Sequence, residues 1–180
     1  MILSEKNTQL IILDIQGKLS KIVYESEKIL QNSQVLVQGC QKIGIPIIWL
    51  EQVPEKLGYT HPSIAELLTG MYPIAKSTFS AYGNEAFRLQ LQGNQRKQVL
   101  LIGVETHICI YQTAVDLLLQ GYEVFVIADA VSSRTESNKT IGLMMSQNEG
   151  VRLLSTEAAL FALLQSAEHP YFKEIAKLVK

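Results

Sequence analysis

Residues 98–134 read QVLLIGVETHICIYQTAVDLLLQGYEVFVIADAVSSR. The run QVLLIGV is apolar without alternation, so it reads as a strand covered on both faces, as in a parallel sheet. EVFVIA at 123–128 reads the same way. Between them, Ile108, Tyr111, Val115, Leu118 and Leu119 recur at helical spacing, and Gly121 closes the segment. Strand, helix and strand in this order form a βαβ unit with a right-handed crossover.

The same pattern extends to both sides. Residues 9–14 (QLIILD), 45–50 (IPIIWL) and 151–154 (VRLL) are further apolar runs expected to be buried strands. Residues 27–43 place Ile29, Ser33, Leu36, Cys40 and Ile43 on one helical face, ending at Gly44 before Pro46. Residues 137–148 form a helix marked by Ile141, Met144 and Met145. A helix at 156–164 is expected with Thr156 as its cap, and a short one after Pro170 turns Phe172, Ile175 and Leu178 inward. The expected fold is α/β: a three-layer α/β/α sandwich on a mainly parallel sheet. The segment 51–80 holds Pro54, Gly58, Pro62, Gly70 and Pro73, and reads as a long loop with one short helix at 63–68. It leaves the C-terminal end of the second strand, where open α/β sheets bind ligands.

At 180 residues the chain suits one domain spanning 1–180. A formal net charge of −1 gives no overall nucleic-acid footprint, and no apolar run is long enough to span a membrane. The N-terminal MILSEKNTQLIILDIQG lacks a secretory signal pattern, so a cytoplasmic location is expected. Two cysteines and three scattered histidines fall short of a structural zinc pattern.

Three residues stand where chemistry is possible. Asp14 ends the first strand, so its carboxylate emerges at the sheet edge; a turn or cap role is the alternative. Cys109 follows the third apolar run, in the first turn of a helix, where free N–H groups and the helix dipole favour thiolate and lower its pKa. A buried structural thiol is the alternative. Lys76, in PIAKSTFSAY, sits among apolar and small residues, and near a thiolate its charge would stabilise it; a surface lysine on a loop is the alternative, and the stronger one for this residue taken alone. Cys40, mid-helix on an apolar face, reads as core. His107 is too close to Cys109 along the chain to pair with it and reads as local or pocket-lining. Arg134 reads as an anion ligand or an ion-pair partner.

The order Asp, Lys, Cys, with LIILDIQGKL around Asp14, EQVPEKLG at 51–58, AKSTFSAY around Lys76 and the 100–134 block, resembles the isochorismatase-like cysteine hydrolases. The similarity runs through the tail HPYFKEIAKLVK and is nearest to the short, single-domain members. The resemblance implies a Rossmann-like sheet and an Asp14–Lys76–Cys109 triad. It also implies a non-proline cis peptide between Val104 and Glu105, and an oxyanion hole made by the backbone amides of Glu105 and Cys109. The implied reaction is hydrolysis of a small amide or related acyl compound through a thioester. Gln16, Trp49, Gln52, Tyr59, Phe79, Tyr82 and His107 are the candidate pocket residues. EQVPEKLGYTHPSI lacks the aspartate–x–histidine metal pattern of the superfamily's nicotinamidases, so no metal and no cofactor are expected. The expected partners are a small-molecule substrate and further copies of the chain, with no nucleic acid and no membrane. Two other readings stay open: vinyl-ether hydrolysis without covalent catalysis, and an idle binding or scaffolding protein.

Overall fold

The computed structural model describes residues 3–180. Six strands form one sheet: β1 (Thr8–Leu13), β2 (Ile47–Gln52), β3 (Ile74–Lys76), β4 (Gln98–Val104), β5 (Glu123–Ser132) and β6 (Arg152–Leu154). Their order is β3-β2-β1-β4-β5-β6, and every neighbouring pair is parallel. The chain winds outward from β1 in one direction, then restarts at β4 and winds in the other. The crevice between the C-terminal ends of β1 and β4 is therefore the topological switch point, where such sheets bind ligands.

The α-helices are α1 (Leu19–Ile22), α2 (Ser26–Ile43), α3 (Pro54–Leu57), α4 (Pro62–Ala65), α5 (Glu85–Gly93), α6 (Tyr111–Leu119), α7 (Glu136–Asn148), α8 (Thr156–Leu164) and α9 (Phe172–Leu178). Side chains alternate across each strand. Leu10, Ile12, Trp49, Leu100 and Ile102 meet Leu36, Cys40, Leu160 and Ile175 of α2, α8 and α9 on one face. Ile11, Leu13, Ile48, Leu50 and Leu101 meet Phe87, Leu91, Ala114 and Leu117 of α5 and α6 on the other.

Several expectations need correction. β3 and α5 lie in stretches without a strand or helix assignment. β3 has only three residues and pairs solely with β2. α5 is capped by the Asn84 side chain, which accepts from the Phe87 N–H, and it buries Phe87 and Leu91 one turn apart. The short helix expected at 63–68 is present as α4 followed by a 3-10 turn at Glu66–Leu68, but the segment 51–80 also carries α3 and β3. The cap of α8 is Ser155, not Thr156.

The faces of α6 and α7 differ too. α6 buries Thr113, Ala114 and Leu117, while Leu119 of the expected stripe is exposed. α7 buries Gly142 and Ser146 and leaves Ile141 and Met144 outside. The reason is close approach. A Cβ on Gly142 would lie 2.6 Å from the His107 backbone nitrogen, so only a small residue fits against that turn.

Gly103 is the second position where only glycine fits. Its φ is +125°, and a Cβ there would sit 1.9 Å from the Leu13 carbonyl oxygen. The positive φ lies on β4 at Gly103, and the clash falls on Leu13, one residue before Asp14. Gly103→Ala is expected to cost about 3 kcal/mol or more. Urea denaturation checks this; an unchanged midpoint would contradict the close β1–β4 approach.

Candidate active site

The ends of four strands and the turn after β4 supply the site. Asp14 follows β1 with φ 58°, an uncommon conformation that aspartate tolerates better than most residues. Gln52 ends β2 and Lys76 ends β3, and the two are in register in the parallel pairing. After β4, the Val104–Glu105 peptide is cis. The turn Thr106–Ile110 is π-helical, with the Ile108 and Ile110 N–H groups both donating to the Glu105 carbonyl. α6 continues from it. Cys109 thus lies in a wide turn ahead of α6, not in a regular first helical turn.

The Lys76 ammonium is the hub. It donates to Asp14 Oδ2 at 2.9 Å and Gln52 Oε1 at 2.5 Å. It also donates to the Thr78 and Phe79 carbonyls at 3.3 Å each, and lies 3.8 Å from Cys109 Sγ. The Lys76 and Asp14 side chains are 0% and 3% exposed. Gln52 is itself fixed: its Nε2 donates to the Ser77 carbonyl, and its backbone N–H donates to Gln16 Oε1. Gln16 Nε2 in turn donates to the carbonyls of Gln52 and Gly58, pinning the 53–58 loop over the site. Asp14 Oδ1 is buried and has no hydrogen-bond partner among the described residues, which leaves it free to accept a proton.

Burial pushes the Asp14 carboxyl up, and the neighbouring Lys76 ammonium opposes that rise. The Cys109 thiol is pushed up to about 12, first by burial and then by the Asp14 carboxylate; Lys76 and the Glu105 backbone N–H counteract only part of this. This corrects the expectation of a lowered pKa. Desolvation and an adjacent anion outweigh the helix end, and the resting sulfur is a neutral thiol. Alkylation of Cys109 by iodoacetamide is therefore expected to rise about tenfold per pH unit above neutrality, without a plateau below pH 10. An inflection between pH 6 and 8, read by peptide mapping, would contradict this.

A cavity of about 140 Å³ opens onto these groups. Leu19, Leu57, Phe79, Val104 and Ile108 form its apolar wall, and Asp14, Gln16, Gln52, Glu105 and Cys109 its polar one. Of the candidate pocket residues, Gln16, Gln52 and Phe79 line it. Four others do not. Trp49 points into the opposite layer of the sandwich, because strand alternation turns Ile47 and Trp49 away from Ile48 and Leu50. Tyr59 is 75% exposed. Tyr82 lies under the Arg88 guanidinium. The His107 ring sits 2.9 Å from Ser133 Oγ. Leu19, Leu57, Val104 and Ile108 are absent from the candidate pocket residues, since an apolar side chain carries no sequence signal that separates pocket wall from core.

Glu105 accepts from Arg134 Nε at 2.9 Å and from the Arg134 backbone N–H at 3.1 Å, so Arg134 is an ion-pair partner within the chain. Cys40 is fully buried, far along a core helix face, with its thiol pushed up to about 12 by burial.

Residues 8–158 match the family model described as the Isochorismatase domain. The chain belongs to the isochorismatase family. Isochorismatase domain-containing protein 2 of Danio rerio is 38% identical over 178 residues, covering 98% of this chain and 89% of that protein. The structure described as MAR1 ribonuclease from Caenorhabditis elegans superposes with a TM-score of 0.93 at 32% identity, covering 99% of this chain and 92% of that one. The YcaC gene product of Escherichia coli, described as an octameric hydrolase of unknown specificity, shares the fold with a TM-score of 0.93 at 21% identity, covering 99% and 89%. The isochorismatase-family sheet therefore carries Asp14, Gln52, Lys76 and Cys109 together at its switch point. Among the described residues, no helix is long and apolar enough to cross a membrane.

Proposed function

We propose that the protein is a cysteine-dependent hydrolase of a small amide or related acyl compound. The observation that carries this reading is the Lys76 ammonium, 2.9 Å from Asp14 Oδ2 and 3.8 Å from Cys109 Sγ, beside a small cavity. A thiol pushed up to about 12 cannot attack without losing its proton, and in this reading the unpartnered, buried Asp14 Oδ1 accepts it.

In the first half-reaction the proton moves from Sγ to Asp14, and sulfur bonds to the carbonyl carbon. The oxyanion is held by the backbone amides of Glu105 and Cys109. One such donor is worth about 3–4 kcal/mol in comparable sites. The C–N bond then breaks as Asp14 returns the proton to the leaving nitrogen. In the second half-reaction Asp14 takes a proton from water, whose oxygen bonds to the thioester carbon. The C–S bond breaks, and the sulfur regains its proton from Asp14. The Lys76 ammonium steadies whichever of Asp14 and Cys109 carries the negative charge. Covalent catalysis of this kind divides one difficult step into two easier ones.

Cys109→Ser separates this mechanism from vinyl-ether hydrolysis without a covalent step. Across a panel of small amides, the variant is expected to lose at least ~10³-fold in kcat. Undiminished turnover of any substrate by Cys109→Ser would remove the covalent mechanism.

The protein is also proposed to self-associate. The Escherichia coli neighbour is described as octameric, and here the packed helices α6 and α7 leave Leu119, Ile141 and Met144 exposed. Met144→Glu is expected to lower the mass measured by light scattering, and an unchanged mass would exclude this face.

A further inference from the structure

We propose that the cavity accepts only short, uncharged acyl groups, of about six heavy atoms with the amide included, and turns away carboxylate-bearing molecules, isochorismate among them. This rests on the hydrolase reading for its chemistry, but the size and charge of the space stand apart from it.

Size comes first. A dry cavity of about 150 Å³ holds a benzene molecule, or about six heavy atoms. The space here is about 140 Å³, well below the 300–1,000 Å³ of ordinary ligand pockets. Leu57 and Phe79, each about half-exposed, stand at its mouth on the loop side, and the 53–58 loop that carries Leu57 is tied down by Gln16 Nε2 on the Gly58 carbonyl at 2.6 Å. The Gly17 N–H donates to the Tyr59 carbonyl at 2.9 Å and holds the same loop. The wall is therefore fastened by hydrogen bonds.

Charge is the second limit. The lining contains two carboxylates, Asp14 and Glu105, and no lysine, arginine or histidine. Lys76 stands behind the lining with four oxygen acceptors and the sulfur around it. The Arg134 Nε is directed to Glu105. Glu51, buried beside Asp14, accepts from the Thr60 N–H and hydroxyl and adds a third acid to this end of the sheet. A substrate carboxylate would give up its water and face Asp14 and Glu105 with no cation to meet it. Isochorismate, a ring bearing two carboxylates, fails on both counts. An uncharged short-chain amide meets the apolar residues Leu19, Leu57, Phe79, Val104 and Ile108 with its chain, and the polar end with its carbonyl.

The test uses butyramide, succinamate and octanamide, with hexanamide as a fourth amide for the Leu57→Ala variant. Each is measured as a substrate and, separately, as a protectant of Cys109 against iodoacetamide. Butyramide is expected to be hydrolysed and to protect. Succinamate and octanamide are expected to fall at least 100-fold below it in both measurements. Leu57→Ala opens the loop side, and is expected to raise the hexanamide-to-butyramide ratio at least about tenfold. Protection by succinamate or octanamide equal to that by butyramide overturns the proposal, as does protection by none of the three. Selective protection by butyramide without hydrolysis leaves the cavity as proposed and overturns the hydrolase reading instead.

Discussion

Cys109→Ala is expected to abolish turnover, with a loss of at least ~10³-fold in kcat, while leaving the fold intact. The substitution removes one sulfur atom at the edge of the cavity, where Cys109 is 7% exposed. It takes away only the longest of the five contacts of Lys76, so the Asp14–Lys76–Gln52 arrangement keeps its hydrogen bonds. The variant also removes an alkaline liability. A thiol raised from 9.0 to about 12 in the folded state stabilises the protein below pH 9, and that stabilisation is lost as pH rises from 9 to 12. At pH 10 the wild type is expected to have lost on the order of 1 kcal/mol that Cys109→Ala retains. Cys40, raised to about 12 as well, contributes the same slope in both proteins and cancels. Parallel urea titrations at pH 7 and pH 10 check this. Equal losses in the two proteins would mean that the sulfur is not buried as a thiol.

Lys76→Met is expected to cost about 3–5 kcal/mol at pH 8, because it leaves the Asp14 carboxylate buried without its cation. The flexible thioether fills the lysine stem's space but offers nothing to Asp14 Oδ2, Gln52 Oε1 or the two carbonyls. Asp14 already has a raised pKa with Lys76 present, and without the ammonium it rises further. A carboxyl whose folded pKa is raised is penalised above that pKa and relieved below the unfolded value of 3.8. The deficit of Lys76→Met therefore shrinks as pH falls from 8 toward 4. Asp14→Asn combined with Lys76→Met is expected to recover at least about 1 kcal/mol relative to Lys76→Met alone. A cost below 1 kcal/mol for the single variant, read from urea midpoints, would show that the pair is solvated.

Much of this arrangement is legible in the residues. Continuous apolar runs mark β1, β2, β4 and β5, and the glycine and proline punctuation marks where helices give way to strands. Asp14 is legible because it is the first charged group after LIIL, and Cys109 because of its distance past β4. The pKa of Cys109 is not legible. It depends on how close Asp14 comes in space and on how much water the 53–58 loop excludes. Trp49 was within reach, since its position two residues from Ile47 puts both on one face, but which face meets the site depends on how the helices are placed. The outward turn of Ile141 and Met144 follows from Gly142 pressing on the Thr106–His107 backbone. A hydrophobic stripe gives no warning of that, because a helix that packs through glycine and serine buries its small face.

The most direct test is where an acyl group goes. A small butyrate ester, which acylates a thiol faster than the amide does, is mixed with the enzyme and quenched with acid within the first turnover. Peptide mapping by mass spectrometry is predicted to place the butyryl group on Cys109 as a thioester, with Cys40 unmodified. An unmodified Cys109 while butyrate accumulates, or a butyryl group carried on another residue, would contradict the account.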